Sequence, residues 1–305
     1  EHRITQADAA AKAEELCGMP EAQRRLIPAL YRRAGVSTRH SVLLTSSTSA
    51  VLSKQDFYLP SQGPDDRGPT TSERMARYEM HAGPLAVKAA EGALHASETE
   101  SSKITHLVTI SCSGFSAPGF DVDLVRNLPL PERIARTNVG YMGCHGALNG
   151  LRVARAFADS EPDARVLICA VELCTLHHQY GWNPEQIVAN ALFADGAAAI
   201  VARRSSGEQT DGASLKLIAN GSLIVPGTEE IMSWKIRDHG FEMTLSTSLP
   251  ELIRSKLRPW LEAWLLKNGL PLAGVGSWAI HPGGPRVLQA CGDTLDLTAE
   301  QLEPS

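Results

Sequence analysis

Cys144 lies in a glycine-flanked turn that leads into a helical pattern. Gly140, Gly143 and Gly146 surround the cysteine, and apolar residues recur at helical spacing over residues 147–157. A cysteine at a helix N-terminus lies near unpaired N–H groups and the positive end of the helix dipole, and both favour thiolate over thiol. The turn therefore favours a nucleophile, although a small buried cysteine at a packed turn would give the same pattern.

His281 is the second candidate for chemistry. It follows a predicted buried strand, residues 277–280, and precedes the loop sequence Pro-Gly-Gly-Pro at residues 282–285. Catalytic groups of α/β folds often lie where a strand ends, but a histidine that only caps a loop gives the same pattern. Paired with Cys144, it forms a candidate Cys–His couple in which imidazole takes the thiol proton or stabilises the thiolate.

The elements that must position these residues alternate between strands and helices. Short apolar runs rich in β-branched residues predict buried strands, and longer amphipathic patterns predict helices. A polar loop at residues 203–213 separates two halves, 1–205 with the cysteine and 206–305 with the histidine, and residues 53–71 are a predicted exposed loop. The predicted strands are 104–111, 165–172, 196–202, 215–225 and 277–280, and the predicted helices are 5–16, 21–33, 72–97 (with a break or kink at Pro84) and 249–267.

Composition excludes several classes of protein. The 29 Lys and Arg against 34 Asp and Glu give a net charge of −5, which argues against broad nucleic-acid binding. No apolar run is long enough to span a bilayer, and the N-terminal residues do not resemble a signal peptide. Six cysteines in 305 residues form no dense disulfide framework, which predicts free thiols in a reducing cytoplasm.

Three sequence blocks resemble the signature blocks of one enzyme family. Residues 141–144, 191–199 and 278–285 are similar to those of type III polyketide synthases, the chalcone-synthase superfamily, in the same order and at similar spacing. The resemblance extends over about residues 4–292. It implies an α/β thiolase fold of five αβαβα layers and two related halves, assembled as a homodimer, with a buried site reached by a coenzyme A tunnel.

The resemblance also implies a mechanism. Cys144 would attack a starter acyl-CoA thioester and hold the acyl group, while His281 would support the thiolate and donate a hydrogen bond to the enolate oxygen. Malonyl-CoA would decarboxylate, and its enolate would attack the acyl-cysteine before the extended chain cyclises. An enolate oxygen requires preorganised donors in a dry site. The implied enzyme is an acyltransferase whose substrates are coenzyme A thioesters, without a further cofactor or metal.

Further residues acquire predicted roles through the same resemblance. Phe193 would gate the junction of tunnel and cavity, and Met243 replaces a second gating phenylalanine. Ala117 replaces a methionine that reaches the partner's cavity in plant enzymes, so a longer channel for a fatty acyl starter is expected. The expected product is an alkylpyrone or alkylresorcinol, and a chalcone-like product stays open as the alternative. The remaining predicted contacts are Cys112, Cys174 and His177, where plant enzymes have cavity-lining threonines, Gly283 for substrate, and Arg33, from a basic helix end, for coenzyme A.

Three alternatives stay open at this point. The first is a ketoacyl-acyl-carrier-protein synthase of fatty-acid initiation, which shares the fold and the Cys–His pair. In the polyketide synthase family a catalytic asparagine lies in a later motif that these 305 residues do not reach. The sequence is therefore predicted to be a fragment, or else a non-catalytic paralogue that serves as a dimerisation partner. The third alternative is a zinc site formed by Cys169, Cys174, His177 and His178.

Overall fold

A four-stranded mixed sheet carries most of the core. The structure is a computed structural model that describes residues 2–45, 55–205 and 214–305. The strand order is β4-β3-β5-β6, with β3 parallel to both neighbours and β6 antiparallel to β5. All six residues of β3 are buried, as expected for a strand covered on both faces. The strands are β3 (His106–Ser111), β4 (Ala135–Gly140), β5 (Arg165–Leu173) and β6 (Asp195–Arg203).

Helices cover both faces of this sheet. Successive side chains of β5 point to opposite faces, so Val166 packs with α6 (Gly146–Ser160) and Leu167 packs with α4 (Thr71–Ala96). Gly150 of α6 allows close approach, because a Cβ there would lie 2.6 Å from Cδ1 of Ile110. The strand–helix–strand order predicted around Cys144 is therefore confirmed.

Helix α4 is continuous through Pro84, so the chain has no break at that residue, and the kink that the sequence allows there stays a prediction. Thr70 and Glu73 form a capping box at its N-terminus, which satisfies N–H groups that the helix leaves free. Tyr78 and the small residues Ala82, Ala86 and Ala90 pack its buried face against the sheet. This packing holds the helix across the missing N–H of proline.

The N-terminal residues form a separate layer against the sheet. Its strands β1 (His2–Thr5) and β2 (Thr38–Ser41) pair antiparallel. The predicted helix over residues 21–33 is interrupted at residues 25–26, which divides it into two shorter helices. The helices of this region are α1 (Gln6–Leu16), α2 (Glu21–Arg24) and α3 (Ile27–Arg33), and α7 (Pro184–Leu192) packs against them, while α5 (Phe120–Asn127) packs on α4.

The C-terminal residues form a hairpin and three helices. The predicted helix at residues 249–267 is confirmed, and its apolar side packs on a later helix through Leu261, Leu265 and Leu295. None of the helices in the described ranges is both long and apolar enough to cross a bilayer. The elements are β7 (Met232–Arg237), β8 (Gly240–Leu245), α8 (Leu249–Lys267), α9 (Pro285–Leu295) and α10 (Ala299–Leu302).

Two predicted strands of this half do not form. Residues 215–225 and 277–280 are without regular secondary structure. In the second segment the hydroxyl of Ser305 accepts a hydrogen bond from Ile280 N–H and donates one to the carbonyl of Trp278, so no strand ladder is present there. The predicted polar loop between the halves falls mainly on residues 206–213, outside the described residues, so the domain boundary stays a prediction.

Candidate active site

Cys144 lies at a sharp corner between β4 and α6. A short 3-10 turn, Gly143–His145, connects the strand to the helix. Tyr141 and Gly143 both have positive φ, 57° and 63°, a conformation that turns the chain tightly and that costs energy for a tyrosine. The corner places Cys144 at the carboxyl end of the sheet, where ligands commonly bind in α/β proteins.

Cys144 is also the most accessible of the six free cysteines. It is exposed, whereas Cys174 is partly buried and the other four are buried. Cys112 lies beside the same corner, with its Sγ 3.7 Å from the carbonyl oxygen of Gly143. A thiol reagent would therefore meet Cys144 first.

Glu172 is a partly buried carboxylate at the end of β5. It accepts hydrogen bonds from the N–H of Cys112 at 2.9 Å and from Oγ of Ser113 at 2.6 Å. Burial raises its pKa, and these hydrogen bonds oppose the rise. Sequence analysis gave this residue no role. The feature of the sequence that could have indicated it is a single acidic residue at the end of an otherwise mainly apolar strand pattern.

The pKa of Cys144 is raised, which is opposite to the direction expected from its position at a helix N-terminus. Desolvation of the thiol is the main cause, and the negative charge of Glu172 is the second, while a backbone hydrogen bond lowers the pKa only in part. The same two causes, in the same order, raise the pKa values of Cys112 and Cys174. Cys144 therefore needs a base to become a nucleophile at neutral pH.

His281 lies in the loop before α9, and its side chain is exposed. Partial desolvation of the ring lowers its pKa, which favours a neutral imidazole able to accept a proton. The loop packs against two other elements: a Cβ on Gly35 would lie 2.7 Å from Pro285, and one on Gly284 would lie 3.6 Å from Leu192. Among the described residues, no hydrogen bond or ion pair joins His281 to Cys144.

One cavity of about 120 Å³ brings four of the predicted substrate residues together. Phe193, Met243, Cys174 and His177 line it, together with residues of α1, β2, α7 and β8. The cavity lining does not include Cys112, Cys144, Gly283, His281 or Arg33. Of these, Gly283 lies in the His281 loop, and Arg33 is exposed in the last turn of α3, two residues before the Gly35 that contacts this loop.

Phe193 is fixed through its backbone. It is the C-cap residue of α7, and its carbonyl accepts a hydrogen bond from the guanidinium of Arg39 at 3.0 Å. Two residues later, Asp195 accepts hydrogen bonds from the N–H of Val42 and from the N–H of Thr175, both at 2.8 Å. Burial raises the pKa of Asp195 to about 6. These contacts tie β2, β6 and the segment after β5 to the gate position.

His177 lines the cavity, and both of its ring nitrogens form hydrogen bonds to the protein backbone. Its Nε2–H donates to the carbonyl of Ser113 at 2.6 Å, and its Nδ1 accepts from the N–H of Phe241 at 3.0 Å. Burial lowers the pKa of His177 to about 4, so the ring is neutral at neutral pH. Because both nitrogens are occupied, the imidazole adds bulk to the cavity without adding a free polar group.

Three of the four residues of the zinc hypothesis serve other contacts. Cys169 packs toward α4, with its Sγ 3.7 Å from the carbonyl of Ala86, and His178 lies 3.7 Å from Sγ of Cys17. His177 has no free nitrogen for a metal. Within residues 2–45, 55–205 and 214–305, no group of three or more His, Cys, Asp or Glu is arranged to hold a metal ion.

Family models establish the class of this protein. The model for the N-terminal domain of chalcone and stilbene synthases matches residues 32–205, and the model for the C-terminal domain matches residues 216–305. The chain therefore belongs to the chalcone and stilbene synthase family, the type III polyketide synthases. This confirms the resemblance drawn from the three sequence blocks.

Individual relatives agree with this class. The chain is 32% identical over 304 residues to 1,3,6,8-tetrahydroxynaphthalene synthase of Streptomyces peucetius subsp. caesius, covering 100% of this chain and 76% of the relative. It is 31% identical over 299 residues to the alpha-pyrone synthesis polyketide synthase-like Pks18 of Mycobacterium tuberculosis, covering 97% and 73%.

Solved structures show the same fold. The crystal structure of PKS-I from the brown alga Ectocarpus siliculosus matches with a TM-score of 0.88 at 28% identity, covering 99% of this chain and 79% of that one. The tetrahydroxynaphthalene synthase of Streptomyces coelicolor A3(2) matches with a TM-score of 0.81 at 25% identity, covering 99% and 80%. The fold is thus the predicted α/β thiolase type, and the chain is an acyl-CoA-condensing acyltransferase. These relatives support neither a carrier-protein-dependent synthase nor a non-catalytic paralogue.

Proposed function

We propose that Cys144 carries the growing acyl chain and that His281 serves as its base and oxyanion donor. The observation that carries this proposal is that Cys144 alone among the six free cysteines is exposed, at the head of α6. Its raised pKa calls for a base, and the neutral imidazole of His281 is suited to accept the thiol proton. The proton transfer requires the two side chains to come within hydrogen-bond distance of each other.

The proposed reaction proceeds through two covalent events. The Cys144 thiolate attacks the thioester carbonyl of the starter, and coenzyme A leaves as its thiol after taking a proton. Malonyl-CoA then loses carbon dioxide, and its enolate carbon attacks the acyl-cysteine carbonyl, which expels the thiolate and leaves a β-ketoacyl-CoA. A hydrogen bond from a ring N–H of His281 stabilises the enolate oxygen. Repetition and ring closure give the product, and the scheme requires no cofactor beyond coenzyme A thioesters.

The starter we propose is a medium- or long-chain fatty acyl-CoA, with an alkylpyrone or alkylresorcinol as product. Methionine is flexible where phenylalanine is a rigid plate, so Met243 at the cavity leaves an adaptable gate opposite Phe193. The relative named for alpha-pyrone synthesis supports this choice. The relative named as a tetrahydroxynaphthalene synthase favours an aromatic product as the second candidate.

We further propose that coenzyme A is held by Arg33 and that the enzyme works as a cytoplasmic homodimer. Arg33 is an exposed cation close in sequence to the contact between α3 and the His281 loop. Phe115, Tyr141 and Met142 are 59%, 53% and 41% exposed, and Tyr141 and Met142 form an apolar surface at the corner that carries Cys144. Burial against a second copy would remove this surface from water. Six free cysteines suit a reducing compartment.

The test is a product assay with competing acyl donors. Purified protein is incubated with malonyl-CoA and a series of fatty acyl-CoA and aromatic acyl-CoA starters, with acyl-carrier-protein thioesters in parallel, and products are identified by mass spectrometry. We expect pyrones or resorcinols from fatty acyl-CoA without carrier protein. Turnover only with carrier-protein thioesters, or a higher kcat/KM with aromatic starters, would contradict the proposal.

A further inference from the structure

His177 connects two segments that are far apart in sequence. Its Nε2–H donates a hydrogen bond to the carbonyl of Ser113, next to the sheet, at 2.6 Å. Its Nδ1 accepts one from the N–H of Phe241, in the β7–β8 hairpin, at 3.0 Å. Its ring stacks on that of Phe241 with centroids 4.1 Å apart and planes inclined by 17°. The side chain is only 3% exposed, so both hydrogen bonds lie away from water.

Other contacts join the same two segments. Nε1 of Trp234 donates to the carbonyl of Cys112 at 2.8 Å, and Trp234 is the residue directly opposite Met243 in the β7–β8 hairpin. The amide of Gln179 donates to the carbonyls of His177 and Phe241 at 3.1 and 3.4 Å. The hairpin that carries the predicted gate is therefore fastened to residues 112–113 from both of its strands.

Residues 112–113 lie beside the nucleophile. The N–H of Cys112 is held by Glu172 at 2.9 Å, and Sγ of Cys112 lies 3.7 Å from the carbonyl of Gly143, which precedes Cys144. A shift of the hairpin would therefore be transmitted to the corner that carries the thiol. Continuous hydrogen bonds and packing are the kind of contact through which such a shift travels.

We propose that His177 is a positioning residue that fixes the gate hairpin, through Phe241, against the Cys112–Ser113 segment beside the nucleophile. With a neutral ring that carries its proton on Nε2, His177 donates a hydrogen bond to Ser113 and accepts one from Phe241. The consequence for catalysis rests on the function proposed above, because it requires that Met243 selects the starter and that Cys144 receives it. The structural bridge itself does not depend on that function.

Four variants separate the two hydrogen bonds from simple packing. His177→Phe keeps an aromatic ring against Phe241 but loses both bonds. His177→Asn offers an oxygen where Nδ1 accepts, and His177→Gln offers an N–H where Nε2 donates. His106→Phe is the matched control, because His106 is also buried and stacked on a phenylalanine, with centroids 4.2 Å apart, but it does not contact the hairpin.

Two readouts test the bridge without any substrate. Hydrogen–deuterium exchange of the Phe241 amide should accelerate by roughly fivefold in His177→Phe, the ratio implied by the loss of one hydrogen bond of typical net strength. It should stay near the wild-type rate in His177→Asn and His106→Phe. Labelling of buried Cys112 should rise in His177→Phe, whereas that of Cys169, in the core under α4, should not. A folded His177→Phe with wild-type exchange and labelling overturns the proposal.

A third readout tests the positioning role. The ratio of kcat/KM values for a long and a short fatty acyl-CoA should fall at least threefold in His177→Phe, with partial recovery in His177→Asn or His177→Gln and no change in His106→Phe. A freed hairpin with an unchanged ratio would make His177 a purely structural contact and overturn the proposed role. If the wild-type enzyme makes no product with any starter, the proposed function is contradicted instead. The exchange and labelling experiments then still test whether His177 connects the two segments.

Discussion

The carboxylate of Glu172 receives the backbone N–H of Cys112 with 2.9 Å between nitrogen and oxygen, next to the corner that carries Cys144. This places a negative charge close to a thiol that must become a thiolate. The pKa of Cys144 is raised by desolvation and by Glu172, so the helix N-terminus alone does not activate the nucleophile. Activation by a neighbouring base follows from this arrangement.

Removal of this charge should make Cys144 more reactive at neutral pH. Glu172→Gln keeps an acceptor oxygen for the N–H of Cys112 but loses the negative charge, so the pKa of Cys144 should fall. Iodoacetamide should label Cys144 about two- to tenfold faster at pH 7, which corresponds to a fall of up to one pKa unit. Glu161→Gln, at an exposed and remote carboxylate, is the control. Slower or equal labelling in Glu172→Gln would contradict the argument.

The base can be identified by comparing two histidines. His281→Gln keeps a donor but cannot take a proton, so acyl transfer from acyl-CoA to the enzyme at pH 7 should slow by about 100-fold, within the usual range of general base catalysis. His145→Gln is the matched control, because His145 is exposed and adjacent to Cys144 in the same turn. Loading is followed by intact-protein mass spectrometry after rapid quenching. A larger decrease in the rate of acyl loading in His145→Gln than in His281→Gln would mean that His145, and not His281, is the base.

Starter preference should depend on the gate. Met243→Phe replaces a flexible side chain with a rigid ring at the cavity. The kcat/KM for a long acyl-CoA should therefore fall by about tenfold relative to a short or aromatic starter, which is the usual effect of about one poorly fitted methylene group. Met232→Phe makes the same exchange at the exposed end of the hairpin and should change nothing. If Met243→Phe leaves the profile of starters unaltered, this residue does not select the substrate.

The protein should lose stability in mild acid. Burial lowers the pKa of His177 to about 4 and that of His178 to about 3. Above pH 6.5 both histidines are neutral in the folded and the unfolded protein. As the pH falls from 6.5 toward these lowered pKa values, only the unfolded protein takes up the protons, so the free energy of unfolding decreases. Asp195, whose pKa is raised to about 6, and Glu172 act in the opposite direction. Between pH 7 and pH 5 the free energy of unfolding should fall by on the order of 1–3 kcal/mol.

Urea unfolding at pH 7 and at pH 5 measures this loss. The same pair of experiments on His177→Asn should show a smaller difference, because that variant has no imidazole to protonate at this site. An unfolding midpoint that stays constant or rises at pH 5 would mean that the carboxyl groups outweigh the histidines.

The sequence identifies the parts of this site that depend on local pattern. Cys144 could be found because glycines and a helical repeat adjoin it, and β3, β5 and β6 because their apolar runs are continuous. Strand β4 was missed because its sequence, Ala-Arg-Thr-Asn-Val-Gly, is mainly polar.

Contacts between distant segments could not be found in this way. The hydrogen bonds of His177 join residues 64 positions apart in both directions, and a sequence pattern contains no trace of such a pair. The predicted strand at residues 277–280 failed for a related reason, since an apolar, β-branched run becomes a strand only where a neighbouring strand offers a ladder.

The most direct measurement is the site of covalent acylation. Wild-type protein is mixed with a fatty acyl-CoA in the absence of malonyl-CoA, quenched in acid, digested and analysed by mass spectrometry, with Cys144→Ala as the control. We expect one acyl group per chain, on the peptide that contains Cys144, with coenzyme A released in equal amount and no adduct in Cys144→Ala. An acyl group on Cys112 or Cys174, or acylation that survives in Cys144→Ala, would contradict the central claim.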